Sequence, residues 1–191
     1  MKKIACVLGS PRKGGNSESI AKSFIESAKR FGAEAQTFAL NDLNFRGCQA
    51  CMACKTGAED CVLNDDLAQV LAAIKGADIV ILATPVYFAQ VTGPMKSLID
   101  RMYSFLTPTY MTGQDQCRLT PGKKLVFIST QGSPDPEMFD AFAPYSMFFS
   151  PQWFGCESHV IRGVGLSSTT DAAADDSLMD QAADLAVRLI S

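Results

Sequence analysis

The chain alternates between two hydrophobic periods. Continuous apolar runs fall at Ile4-Ala-Cys-Val-Leu8, at 77–83 (Ala-Asp-Ile-Val-Ile-Leu-Ala) and at 125–129 (Leu-Val-Phe-Ile-Ser). Short runs of this kind read as strands covered on both faces. The first strand is placed at 3–8, a weaker one at 34–40 and a fifth at 156–161. Between them the period lengthens to that of helices. A helix over about 17–31 sets Ile20, Phe24, Ala28 and Phe31 on one face, with Asn16 as its N-cap and Gly32 as its stop. Others are predicted over 65–75, from Thr92-Gly93-Pro94 onward with Met95, Leu98, Ile99 and Met102 inward, over 136–148, and over 171–190 with Leu178, Ala182, Leu185 and Leu189 inward.

Five strands alternating with helices predict an α/β fold, a parallel sheet wound by right-handed crossovers. The 191 residues suit one domain spanning 1–191. Ligands of such sheets bind at the C-terminal ends of the strands, where strand order reverses. Three loops at that edge are 9–17, 84–93 and 130–135, rich in Ser, Thr, Gly, Tyr and Phe. That composition suits a phosphate at the first loop and a flat ring held by the other two.

The first loop, Gly9-Ser-Pro-Arg-Lys-Gly-Gly-Asn-Ser17, joins a buried strand to a helix start. A helix start offers open backbone N–H groups and the positive end of the macrodipole. Gly14 and Gly15 allow close approach of an anion, Ser10, Asn16, Ser17 and Ser19 offer short polar groups, and Arg12 and Lys13 offer charge. The loop is no Walker motif, because Gly15-Asn16 stands where Lys-Ser/Thr is needed. Nor is it a dinucleotide Gly-x-Gly-x-x-Gly, because position 11 is proline. Cys6-x5-Arg12 has the spacing of a phosphatase cysteine and its arginine, but Cys6 falls inside the strand, where burial raises a thiol pKa. A phosphatase is kept as an alternative reading.

Composition narrows the classes. The net charge of −3, with no long basic run, speaks against nucleic acid. No apolar run approaches the ~18 residues of a membrane span, and Met1-Lys-Lys3 with five apolar residues is too short for a signal peptide. Seven cysteines, four of them packed into a loop at 47–64, are no secreted disulfide framework, so a cytoplasmic location is expected. Cys48, Cys51 and Cys54 are spaced at three, and Cys61 follows. Two successive x2 gaps suit thiolate ligation of a [4Fe-4S] cluster. Free or redox-active thiols, and a zinc-stabilised binding module, stay open beside it. Glu59 and Asp60 bring negative charge close to that anionic site, which disfavours the cluster.

Gly-Ser-Pro-Arg-x-x-Gly-Asn-Ser at 9–17 and Thr-Pro-Val-Tyr at 84–87, with Met95-Lys96 and Asp100-Arg101 downstream, resemble the NADPH-dependent FMN reductase family of the flavodoxin-like fold. Gly47-Cys48-x-x-Cys51-x-x-Cys54, then Cys61 and Asp65-Asp66, is similar to its iron–sulfur flavoprotein branch. The resemblance implies a flavodoxin-like three-layer sandwich with a five-stranded parallel sheet. It implies the FMN phosphate at Ser10, Arg12, Gly15, Asn16 and Ser17, and the isoalloxazine ring against Pro85, Val86, Tyr87 and Phe88 and near Thr130, Gln131 and Gly132. No catalytic side chain is then required, since the flavin carries the chemistry. The family implies NAD(P)H or a ferredoxin-like donor, a small acceptor such as a quinone or flavin, and a homodimer or homotetramer. His159 is expected to be a structural or surface residue rather than a catalyst, and the aromatic stretch 145–154 either core or subunit contact.

Overall fold

The computed structural model describes residues 1–113 and 115–191. Strands β1 (Lys3–Leu8), β2 (Glu34–Ala39), β3 (Ile79–Pro85), β4 (Lys123–Thr130) and β5 (Cys156–Gly163) form one parallel sheet in the order β2-β1-β3-β4-β5. Five helices accompany them: α1 (Asn16–Arg30), α2 (Ala53–Thr56), α3 (Leu67–Gly76), α4 (Gly93–Arg101) and α5 (Asp176–Ile190).

The register explains the two cores. Phe38, Val7, Leu82 and Phe127 stand side by side across four strands. Their side chains share one face with Leu67, Val70 and Ile74 of α3 and Met95 and Leu98 of α4. Displaced by one residue, Cys6, Ile81 and Val126 line the opposite face, under Ile20 and Phe24 of α1 and Leu178 and Leu185 of α5. A strand buried on both faces needs both parities apolar, which is why β3 reads as an unbroken hydrophobic run. The Ser23 and Ser27 hydroxyls lock α1 to α5 by donating to the carbonyls of Met179 and Ala183, at 2.9 and 3.1 Å.

Two expectations give way. Asn16 is not the N-cap of α1 but its first helical residue; Gly15 takes the cap position, and no side chain caps the helix. The helix over 136–148 does not form; that stretch holds only a short 3-10 turn at Ala143–Tyr145. Asp135 accepts from the Glu137 amide, and Asp140 from the amides of Phe142 and Ala143. Such local side-chain bonds compete with a helical ladder, and Pro136 and Pro144 remove two of its donors. The aromatic stretch that follows is mostly core. Tyr145, Phe149 and Phe154 are buried, while Phe148 remains partly exposed.

The sheet order reverses direction at β1. The chain steps outward to β2, then crosses back over β1 to β3, which opens a crevice at the C-terminal ends of β1 and β3. The loops on either side are stitched together there. The Gly9 amide donates to Ala83 O at 2.8 Å, and the Thr92 hydroxyl donates to Gly9 O at 2.7 Å while accepting from the Met95 amide. One side chain thus caps α4 and fixes the first loop against it. A Cβ at position 9 would lie 3.0 Å from Met95 and from Thr92 and would press on both, so this close approach favours glycine.

Candidate functional site

The crevice is a cavity of about 220 Å³. Ten of the twelve residues expected to hold a cofactor line it: Ser10, Arg12, Gly15, Asn16, Ser17, Pro85, Val86, Tyr87, Thr130 and Gly132. The first loop turns at Gly14, whose φ of +67° is left-handed. Its shape is held from within. Ser10 Oγ accepts from the Arg12 amide, and Glu18 accepts from the Gly14 amide at 2.7 Å. Burial pushes the Glu18 carboxyl up, but its bonds to Lys22 and to the Gly14 amide outweigh that and hold it below its usual range. The first-turn N–H groups of α1 have no intrahelical partner and no side-chain cap, and Gly15, Asn16 and Ser17 at that helix start line the cavity. A Cβ on Gly15 would rest in ordinary contact with Arg12 and Ser10, at 3.6 and 3.7 Å, so the loop packs closely round this position. Lys13 pairs with Asp42 at 3.1 Å, leaving Arg12 as the cation of the loop that lines the cavity.

Three expected residues take other roles. Asn16 lines the cavity, but its side-chain amide donates to Ser168 O at 2.7 Å and its Oδ1 accepts from the Ala172 amide at 3.0 Å. It therefore ties the first loop to the segment after β5. Gln131 is buried, with its side-chain amide given to Ser133 O and Asp135 O. Phe88 is fully exposed. It sits with Ala89 in a tight turn, φ +48° and +62°, closed by mutual backbone bonds between Tyr87 and Gln90. That is the left-handed pair of a type I′ turn, built here without glycine or asparagine. The Tyr145 hydroxyl donates to Gln90 Oε1 at 3.0 Å and braces it.

The sequence reading missed a fourth wall. Leu166, Ser167 and Thr169 complete the cavity from the loop after β5. The signal was present, since Gly163-Val-Gly-Leu-Ser-Ser-Thr-Thr170 is a glycine- and hydroxyl-rich run at the C-terminal end of a strand. Cys6 is fully buried in β1, and burial, with Glu18 nearby, pushes its thiol up to about 12. A thiol of that kind supplies no nucleophile at neutral pH, which removes the phosphatase reading. His159 lies in β5 with Glu157 and does not line the cavity.

The cysteine loop builds a second cavity, of about 120 Å³. Cys48, Cys51, Cys54 and Cys61 all line it, with Met52, Val62, Leu63, Arg101 and Tyr103. Left-handed Ala50 and Met52 (φ +51° and +59°) fold the x2 gaps tightly before α2. Among the described residues no three His, Cys, Asp or Glu side chains converge on a point that would hold a single metal ion. Three cations secure the loop. Lys55 Nζ donates to Tyr103 O and Leu106 O, 3.6 Å from Cys54 Sγ. Arg118 donates to Cys54 O at 3.0 Å. Arg101 donates to Cys61 Sγ at 2.9 Å and to Asp65 at the same distance. Burial works against the ionised Asp65, yet the Arg101 hydrogen bond prevails and holds this carboxyl below its usual range. Asp60, which looked unfavourable in the sequence, turns outward to pair with Lys75 at 2.8 Å.

The cavities are joined by α4. Thr92 at its start holds the first loop, and Arg101 at its end holds Cys61. Nine helical residues span about 14 Å.

Comparison with known proteins agrees with this geometry. The sequence model of the NADPH-dependent FMN reductase family matches residues 2–138. An iron-sulfur flavoprotein of Archaeoglobus fulgidus is 38% identical over 99 residues, 52% of this chain and 48% of that protein. One of Methanosarcina thermophila is 37% identical over 99 residues, 52% of this chain and 51% of that one. The matched region thus spans about half the length of these curated relatives. Among solved structures, an FMN-dependent NADH-azoreductase from Bacillus anthracis in complex with FMN superposes with a TM-score of 0.71 at 15% identity, covering 99% of this chain and all of that one. An NAD(P)H:quinone oxidoreductase from Methanothermobacter marburgensis gives 0.66 at 16% identity, covering 99% and 95%. These likenesses show that the fold is shared. The crevice at the sheet's switch point, its uncapped helix start and the family match across residues 2–138 lead to one conclusion: the chain belongs to the NADPH-dependent FMN reductase family.

Proposed function

We propose that this protein is an FMN-dependent oxidoreductase that takes reducing equivalents from NAD(P)H or a ferredoxin-like donor and delivers them to a small acceptor such as a quinone or free flavin. The observation that carries this reading is the convergence of ten expected residues on one crevice beside an uncapped helix start. The residues present fit FMN. A phosphate has the first-turn N–H groups of α1, the Ser10 and Ser17 side chains and the Arg12 guanidinium around it. A flat ring has Pro85, Val86 and Tyr87 on one side and Thr130 and Gly132 on another. The amides of Val86, Tyr87 and Gln131 are bonded within the protein, so Gly132 is the backbone donor the cavity offers from these loops. Bound FMN supplies the hydride and electron chemistry. The chain orients it, neutralises its phosphate and keeps water from the buried side of the ring.

A second element of the reading is a [4Fe-4S] cluster at Cys48, Cys51, Cys54 and Cys61. Four thiol side chains round one small cavity, with three cations anchoring the loop, suit a cluster whose ligated form is anionic. They suit it better than zinc, whose sulfurs must approach within roughly 4 Å of one another. The reading places the protein in the cytoplasm, as a homodimer or homotetramer.

The test is anaerobic mixing of the FMN-loaded chain with NADPH, then NADH. Bleaching of the flavin band near 450 nm, followed by reoxidation with a benzoquinone, is the expected result. A flavin that dithionite bleaches but neither nucleotide does would contradict a nicotinamide donor and assign the protein to a protein electron donor.

A further inference from the structure

Arg101 closes α4 and is only 1% exposed. A buried guanidinium is costly unless its N–H groups are paired. Nη1 donates to Asp65 Oδ2 at 2.9 Å and to Arg46 O at 3.0 Å, and Nη2 donates to Leu63 O at 3.3 Å. Asp65 is itself fixed by the amides of Arg46 and Leu67. The planar fork is therefore clamped on its far side, and Nε is directed at Cys61 Sγ, 2.9 Å away. A ligand sulfur of an anionic cluster would accept a charge-assisted bond from such a donor. Cys61 is also the cysteine outside the tight 48–54 wrap, seven residues beyond Cys54, so the loop's own geometry does least to aim it.

We propose that Arg101 is the positioning residue of the fourth cluster thiolate: it aims Cys61 Sγ into the cavity lined by Cys48, Cys51 and Cys54, and its N–H and charge raise the cluster's reduction potential. This rests on the cluster reading above. Hydrogen bonds and positive charge at ligand sulfur favour the reduced, more negative cluster. In the one-electron reduction by dithionite, the electron enters the cluster while Arg101 stays protonated and transfers nothing.

The experiment is an anaerobic dithionite titration of the reconstituted, FMN-containing chain, followed by electron paramagnetic resonance. Wild type is compared with Arg101→Lys, which keeps the charge but loses Nε and the fork. The expected result is a variant that still binds FMN and whose reduction equilibrium is about tenfold less favourable, or 59 mV lower for one electron. Loss of iron from a variant that still binds FMN would equally support positioning. An unchanged potential with unchanged iron would overturn the proposal. If the variant does not fold, wild-type protein carrying guanidinium-15N arginine decides. A 15N coupling to the reduced cluster is expected, and its absence would overturn the assignment. A wild-type chain that binds FMN but takes up neither iron nor sulfide would instead remove the cluster reading and this inference with it.

Discussion

Asn16 has two donors and one acceptor on its side chain, and it uses them to hold the segment after β5 against the start of α1. That segment carries Leu166, Ser167 and Thr169, which line the crevice from one side. Asn16→Ala is expected to lower stability by about 1–3 kcal/mol and to weaken FMN binding through the displaced wall. Asn16→Asp is expected to be at least as harmful, because it sets a carboxylate oxygen against the Ser168 carbonyl. Urea denaturation with flavin titration of both variants checks this. A variant that keeps full stability and loses only FMN affinity would instead make Asn16 a direct phosphate ligand. The sequence identified Asn16 as part of the site but could not give its partners. They lie about 150 residues away, and a motif records neighbours in the chain rather than in space. The same holds for Arg101, whose thiol partner is 40 residues distant.

At the scale of elements, the strands were legible because burial on both faces leaves an unbroken apolar run, as in β3. The segment 136–148 was not, because its apolar spacing suits a helix while Asp135, Asp140 and two prolines bind or remove the amides a helix requires. The turn at 87–90 is a similar conflict. Its sequence, Tyr-Phe-Ala-Gln, has none of the residues that favour a left-handed pair, yet Phe88 and Ala89 both adopt it. Strain held at the edge of a binding site is commonly retained for its geometry. Replacing Phe88-Ala89 with Asn-Gly is expected to raise stability by about 1–2 kcal/mol, because the strained pair is relieved. FMN affinity is expected to stay within about twofold, since Phe88 lies outside the crevice. Urea unfolding and flavin fluorescence titration measure the two effects. A stability unchanged by the substitution would show that the turn is not strained, and a large loss of FMN would place Phe88 over the ring.

Across the whole molecule, strand order β2-β1-β3-β4-β5 makes a crevice at the β1/β3 edge, and α4, about 14 Å long, ties its first loop at one end and Cys61 at the other. One fold therefore sets the crevice near one end of a helix and the four-cysteine cavity, with Lys55, Arg101 and Arg118 beside it, near the other. The fold and the crevice followed from hydrophobic period and loop composition, whereas the cations beside the cysteine cavity come from helix ends and loops that only folding brings together. The most direct measurement is an absorbance spectrum of the chain purified without oxygen, with flavin, iron and sulfide determined on the same sample. The account expects flavin bands with one FMN and about four iron and four sulfide per chain. A colourless chain that also fails to take up added FMN would contradict it at its foundation.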